Sequence, residues 1–263
     1  MAAARSAVVI GLGLIGGSIG MALRRSGWRV AYVDPRVEED DARLAGAADF
    51  RLNDSAGSDA SVIILATPVD VALEILDRIE PGPSVVTTVC SVMFPLGRKA
   101  AARGLPFVAG HPLAGSHESS LAAADGELFR GKKWFLDREG TSEVVDALVA
   151  ACGAVAVRVD PVEHDRAIAL TSHLPQLVST ALASLIEREG DRLDPFIGTG
   201  LRTLLRLAGS SHGVWAPVLE ANREEIERAA SLLEETMREM LDEGSEEEFA
   251  AAQKLFAKLQ TRG

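Results

Sequence analysis

Cysteine is scarce in this chain of 263 residues: Cys90 and Cys152 stand alone and far apart. Two such residues make no disulfide framework, and they point to a reducing, cytoplasmic compartment. Basic charge is short as well. Lys and Arg number 27 against 38 Asp and Glu, a formal net charge of −11. That balance argues against nucleic acid or an anionic membrane as a partner. An anionic ligand would need a local basic cluster to reverse the field. Internal repeats and low-complexity tracts are missing, and the acidic runs 38–41 and 246–248 read as solvated faces. The uncharged run 6–23 holds five glycines, which argues against a signal peptide or a membrane span. Histidines number only five, yet His111 and His117 share one small-residue loop, VAGHPLAGSHESS (108–120). What remains is 47% hydrophobic and 25% charged, the composition of a soluble globular protein with a sizeable core.

The first half alternates short β-branched runs with helical stretches. Strands are expected over 7–11, 29–34, 61–67, 84–89 and 106–110, with 133–137 and 154–159 as further candidates. A helix is expected over 17–27, ending at Gly27. This alternation predicts an α/β class with an N-terminal, doubly wound, mostly parallel Rossmann-type sheet. After Val159 no convincing strand follows. Asp160 as N-cap and Pro161 in the first turn start a helix. Ile226, Ala229, Ala230, Leu233, Met237, Met240 and Leu241 recur at helical spacing. Ser245 and Glu248 predict a capping box. The expected organisation is a dinucleotide-binding domain over 1–158 and an all-helical domain over 159–263.

Gly11, Gly13 and Gly16 have the G-x-G-x-x-G spacing, with a strand before them and a helix after. Gly11 permits the tight turn, Gly13 lets a pyrophosphate approach the backbone, and Gly16 lets helix and strand pack closely. Gly11, Leu12, Gly13, Leu14, Ile15 and Gly16 are therefore the expected cofactor cradle. Asp34 ends the next strand, 18 residues beyond Gly16. It is expected to bind the adenosine ribose hydroxyls and repel a 2′-phosphate, favouring NAD. Arg36, two residues on, leaves NADP open. Thr67 and Pro68 follow the third strand and border the cofactor on this reading, although Pro68 also suits a plain helix start.

Ser91 and His111 likewise follow strands, which puts them at the same rim. An imidazole there can take the proton released when an alcohol is oxidised, and a serine hydroxyl can bond the reacting oxygen. His164 and His173 lie nine residues apart, on opposite faces of a regular helix, so they share no metal, and no metal is expected. His164 reads as structural. Arg166 and His173, seven apart, fall on one face. Pro175 is expected to break or kink the helix and free the Thr171 carbonyl, shaping a cavity wall beside His173. Arg202 and Arg206 form an i,i+4 pair, either a carboxylate clamp or a solvated basic face. Trp215 walls a site or simply packs.

Taken together, GLGLIGGSIG, ATPVD, GHPLAGS, LFRGKKW, EHDRAIALTSHLP and GTGLRTLLRLAGSSHGVW…ANRE resemble the prephenate/arogenate dehydrogenase family of tyrosine biosynthesis. The resemblance runs almost end to end. It implies an NAD(P)-binding domain, a helical domain that forms a homodimer, and oxidation of a cyclohexadienol with loss of CO2. It implies that His111 assists deprotonation of the ring hydroxyl, that Ser91 lies near that hydroxyl and the nicotinamide, and that His173 faces substrate. It also implies that Arg206 binds a substrate carboxylate and that Trp215 belongs to the site. The chain departs from the family pattern at Thr88 and Met93, where an aspartate and a lysine are usual. It departs again at Thr203, in place of an aspartate, and at Gln176, in place of a histidine. His117 stands where many members carry an acid. A carboxylate could pair with the ammonium of arogenate, whereas a histidine cannot, which favours prephenate, a dicarboxylate with a keto side chain. Arogenate, an amino-substituted prephenate, or a non-catalytic NAD sensor remain the alternatives. With the chain stopping at 263, no appended regulatory domain is expected.

Overall fold

The computed structural model describes residues 5–54, 59–114, 120–242 and 244–261. The chain opens with β1 (Ser6–Ile10), α1 (Leu14–Arg25), β2 (Arg29–Val33), α2 (Glu39–Leu44) and β3 (Phe50–Arg51). It continues through β4 (Val62–Leu65), α3 (Val69–Arg78), β5 (Val85–Thr88), α4 (Phe94–Ala102) and β6 (Phe107–Val108). These six strands form one parallel sheet in the order β3-β2-β1-β4-β5-β6. The order reverses between β1 and β4, as in a doubly wound fold, and such a switch point opens a crevice beyond the strand carboxyl ends.

Both faces of the sheet are covered, which is why its strands read as continuous apolar runs. Along β1, Val9 faces the core built with α1, α2 and α5, while Val8 and Ile10 face the core built with α3 and α4 (α5 is Glu143–Ala151). The glycine-rich α1 starts at Leu14, three residues before the expected position. Its glycines serve close contacts: a Cβ on Gly20 would sit 2.0 Å from the Ala47 carbonyl oxygen.

A second, three-stranded sheet holds β7 (Gly110–Pro112), β8 (Lys133–Asp137) and β9 (Val155–Val159), with β7 antiparallel and β9 parallel to β8. The segment expected as one strand over 106–110 is thus two, and the chain changes sheets at Ala109. Gly110 allows the change, because a Cβ there would fall 2.8 Å from the Thr88 carbonyl oxygen and 3.0 Å from Trp134 Nε1. The two-residue β3 was not expected; it is too short to leave a pattern.

Past β9 the chain is helical. It runs through α6 (Pro161–Ile168), α7 (Leu174–Glu189), α8 (Thr199–Leu204), α9 (His212–Ala221), α10 (Arg223–Asp242) and α11 (Glu246–Gln260). Asp160 caps α6 as expected, its side chain accepting from the N–H groups of Val162 and Glu163 at 2.9 and 3.0 Å. The capping box expected at Ser245 and Glu248 does not form: Ser245 precedes α11, but its hydroxyl makes no cap bond. Pro175 neither breaks nor stops the helix. One π turn, Ala169–His173, joins α6 to α7, and this wider winding accommodates a proline that has no N–H to donate.

Candidate active site

At the β1 end Gly11 takes φ +92°, and a Cβ on it would lie 2.6 Å from the Ala66 carbonyl oxygen, just past β4. On Gly16 a Cβ would meet the Gly11 carbonyl oxygen at 1.9 Å, so α1 closes on the turn only without a side chain there. Gly13 caps α1 with no side-chain bond, which leaves the start of that helix suited to an anion. Leu12 and Leu14 are buried and Ile15 is half-buried. The Leu12 N–H donates to Asp34 Oδ2 at 2.8 Å, and the Arg36 N–H donates to Asp34 Oδ1 at 2.8 Å. Two backbone donors thus hold a carboxylate at the end of β2, while the Arg36 side chain stays 86% exposed. Thr67 follows β4 and its buried hydroxyl oxygen has no partner among the described residues, and Pro68 caps α3. A cradle that only glycine permits, a held carboxylate and an orphaned hydroxyl fit a bound dinucleotide.

The rim continues sideways. The Cys90 thiol lies 3.6 Å from the Thr67 carbonyl oxygen, and burial pushes that thiol up to about 12, so it stays protonated and inert. Ser91 follows directly, half-buried between β5 and α4. His111 sits in the middle of β7, paired with Phe135 of β8.

Around His111 the helical half supplies a polar cluster. His111 Nδ1 lies 3.0 Å from His164 Nε2, with the rings crossed edge-on at 88°. His164 Nδ1 lies 2.7 Å from Asp165 Oδ1. The Asp165 carboxylate also accepts from the N–H groups of Met93 at 2.8 Å and Phe94 at 2.9 Å, at the start of α4. Asn222 Nδ2 donates to the Asp165 carbonyl oxygen at 2.9 Å and lies 3.2 Å from His173 Nδ1. His173 Nε2 is buried with no partner among the described residues, and the Trp215 ring stands edge-on to His173 with centroids 5.9 Å apart. Burial first, and then the neighbouring His164 and His173, lower the His111 pKa to about 3. Burial likewise lowers His173 to about 4, against the opposing pull of Asp165.

His164 and His173, expected on opposite faces, are both buried and both belong to the cluster around His111. The π turn between them explains the difference, since a period of 3.6 no longer counts the residues correctly across it. Arg166 is exposed and pairs with Glu225 at 3.3 Å. His164 had read as a structural residue, and Asp165 and Asn222 carried no expectation. The available signal was faint: an adjacent His–Asp pair one turn after the Asp160 cap. Among the described residues no group of His, Cys, Asp and Glu is arranged to hold a metal ion.

Arg202 and Arg206 are exposed and make no ion pair among the described residues. Their segment is tied to α7, where Gln176 Nε2 donates to the Leu207 carbonyl oxygen at 2.9 Å and the Ser179 hydroxyl to that of Leu204 at 3.0 Å. Gln176 therefore anchors the turn that carries Arg206. Thr203 is exposed and bonds back to the Thr199 carbonyl oxygen, and Met93 is fully buried. His117 lies outside the described residues.

Residues 19–158 match the family described as prephenate dehydrogenase, nucleotide-binding domain, and residues 160–255 match prephenate dehydrogenase, dimerization domain. The chain belongs to the prephenate dehydrogenase family. It is 30% identical over 241 residues to a prephenate dehydrogenase of Bacillus subtilis, covering 83% of this chain and 64% of the relative. It is 29% identical over 231 residues to one from Lactococcus lactis, covering 82% and 65%. The chain thus spans just under two thirds of the length of these relatives. In structure it resembles the Aquifex aeolicus prephenate dehydrogenase, whose crystals hold hydroxyphenyl propionate and NAD+. The TM-score is 0.83 at 24% identity over 98% of both chains, a likeness of fold.

Proposed function

We propose that this chain oxidises prephenate with NAD, releasing CO2 and forming 4-hydroxyphenylpyruvate. The observation that carries the reading is the His111 imidazole, held by His164 at the same rim as the Gly11 turn, in a member of this family. Gly11 to Gly16 and Asp34 would hold NAD, with Thr67 and Pro68 beside it. NAD supplies the hydride acceptor. His111, neutral at neutral pH, takes the ring hydroxyl proton as hydride leaves the ring carbon. Once CO2 has departed and the ring is aromatic, His111 returns the proton to the phenolate oxygen. General acid–base help of this kind is worth roughly 10²–10⁴-fold.

Ser91 is suited to bond the same oxygen, and the buried His173 Nε2 beside Trp215 is suited to a polar group of the substrate. Arg202 and Arg206 supply the local basic cluster that a dicarboxylate needs in so acidic a chain. Arg206→Ala is expected to raise KM for prephenate at least about tenfold, the range for a lost charge-assisted bond, with a smaller change in kcat. The exposed apolar faces of α10 and α11 support a homodimer, and the isolated, buried thiols support a cytoplasmic setting. No helix among the described residues is long and apolar enough to cross a membrane.

The test is NADH or NADPH formation with prephenate and with arogenate, each offered with NAD and with NADP. Turnover with prephenate and NAD is the expected result. Turnover with arogenate alone would overturn the substrate and the reading of His117. No turnover with any pair, alongside tight NAD binding, would overturn the activity and favour a sensor.

A further inference from the structure

We infer that Asp165, His164 and Asn222 are positioning residues that fix where the protons sit on two imidazoles, leaving His111 Nε2 as the acceptor and His173 Nε2 as the donor. The inference rests on the proposed reaction for its purpose, but its geometry stands apart from it.

The assignment starts from groups that have no choice. Backbone N–H groups only donate, and three donors converge on Asp165: the N–H groups of Met93 and Phe94, and His164 Nδ1. A carboxylate that receives backbone donors on both oxygens acts as an acceptor, so His164 carries its proton on Nδ1. A neutral imidazole with Nδ1 protonated has a bare Nε2. That nitrogen faces His111 Nδ1 at 3.0 Å, so His111 must supply the hydrogen there. His111 then holds its one proton on Nδ1, and its Nε2 lone pair is free for a substrate hydroxyl.

The second imidazole follows the same logic from a different fixed point. The Asp165 backbone carbonyl only accepts, and Asn222 meets it with Nδ2 at 2.9 Å, which settles the orientation of the amide. The other hydrogen of that amide nitrogen is directed to His173 Nδ1 at 3.2 Å. His173 Nδ1 is therefore the acceptor, and the proton sits on Nε2, the buried atom with no partner among the described residues. One residue, Asp165, sets both assignments, through its carboxylate for His111 and through its carbonyl for His173. The opposed assignments suit a substrate that loses a hydroxyl proton on one side and presents a carboxylate or keto oxygen on the other.

The π turn between His164 and His173 makes this possible. A regular helix would turn the two rings away from each other, whereas the widened turn brings both into one buried cluster. Burial keeps His111 and His173 neutral, in line with their lowered pKa values.

The experiment reads tautomers directly. Full-length wild-type protein with 15N-labelled histidine, saturated with NAD, is examined by long-range 1H–15N correlation at neutral pH. His111 and His173 signals are assigned by their loss in His111→Asn and His173→Asn. The expected result is His111 protonated on Nδ1 and His173 on Nε2. His111 protonated on Nε2, or His173 on Nδ1, would overturn the inference. This measurement uses no substrate and no relay variant, so it stands if prephenate is not turned over and if His164 variants fail to fold. In His164→Ala, His111 is expected to become a mixture of tautomers. There kcat should fall by about 10²-fold, the low end of general-base help, while Kd for NAD stays within about threefold. In His164→Gln the side-chain carbonyl can again accept from His111, and part of the rate should return. An unmoved His111 tautomer with unchanged kcat in His164→Ala would also overturn it.

Discussion

In the half that holds the six-stranded sheet, large apolar side chains disappear from water: Leu12, Ile19, Leu23, Ile64 and Leu76 are all 0% exposed. In the helical half, Leu241 is 84% exposed, Phe256 64% and Leu259 60%, and the buried cluster there comprises Ala169, Leu174, Ile226 and Ala229. Both halves show apolar residues at regular spacing in the sequence. The spacing tells which face of an element is apolar, not what covers it. The first half covers its own faces with α1 to α5, whereas the second displays an amphipathic surface suited to another copy of the chain. The candidate site lies where the two halves meet, with His111 from one and His164, Asp165 and His173 from the other.

The contrast can be broken in order of expected effect. Leu23→Ala opens a cavity in a filled core and should cost about 2–5 kcal/mol in urea unfolding, independent of protein concentration. A loss below about 1 kcal/mol would mean the site collapses freely. Leu241→Glu places a charge on the displayed face of α10. It should convert a dimer to a monomer in analytical ultracentrifugation, and remove any concentration dependence of the midpoint. An unchanged dimer would place the interface elsewhere.

The third test concerns the junction itself. Folded His111 and His173 stay neutral down to pH about 3 and about 4, while the unfolded chain protonates histidine near 6.5. Between those values the unfolded state binds more protons. Stability is therefore full above about 6.5 and falls as pH drops toward 4, by up to roughly 1.4 kcal/mol per pH unit for each histidine. His173→Asn should flatten that slope by about half; an unaltered slope would assign it to other groups.

Much of the first half was legible because strands buried on both faces leave unbroken apolar runs, and because the Gly11–Gly16 spacing has a strand before it and Asp34 after it. The change of sheet at Ala109 left no mark in residue type, since it depends on the space at Gly110. The helical half was harder to read. Treating 161–189 as one helix of period 3.6 sent His164 and His173 to opposite faces. The π turn that unites them shows in the sequence only as Pro175, which reads equally as a kink. Asp165 looked like any acid near a helix start, because its partners are the backbone of Met93 and Phe94, 72 and 71 residues away. Arg202 and Arg206 read as an i,i+4 pair, but α8 ends at Leu204 and Arg206 lies in the 3-10 turn after it, and exposed side chains in a single chain do not reveal what they bind.

We assign the role of base to the His111 imidazole at this junction. His111→Asn should be compared with the wild type in NADH formation with prephenate and in NAD binding. With His111 as the base, kcat should fall by roughly 10²–10⁴-fold while Kd for NAD is unchanged. A variant that keeps its kcat would contradict it.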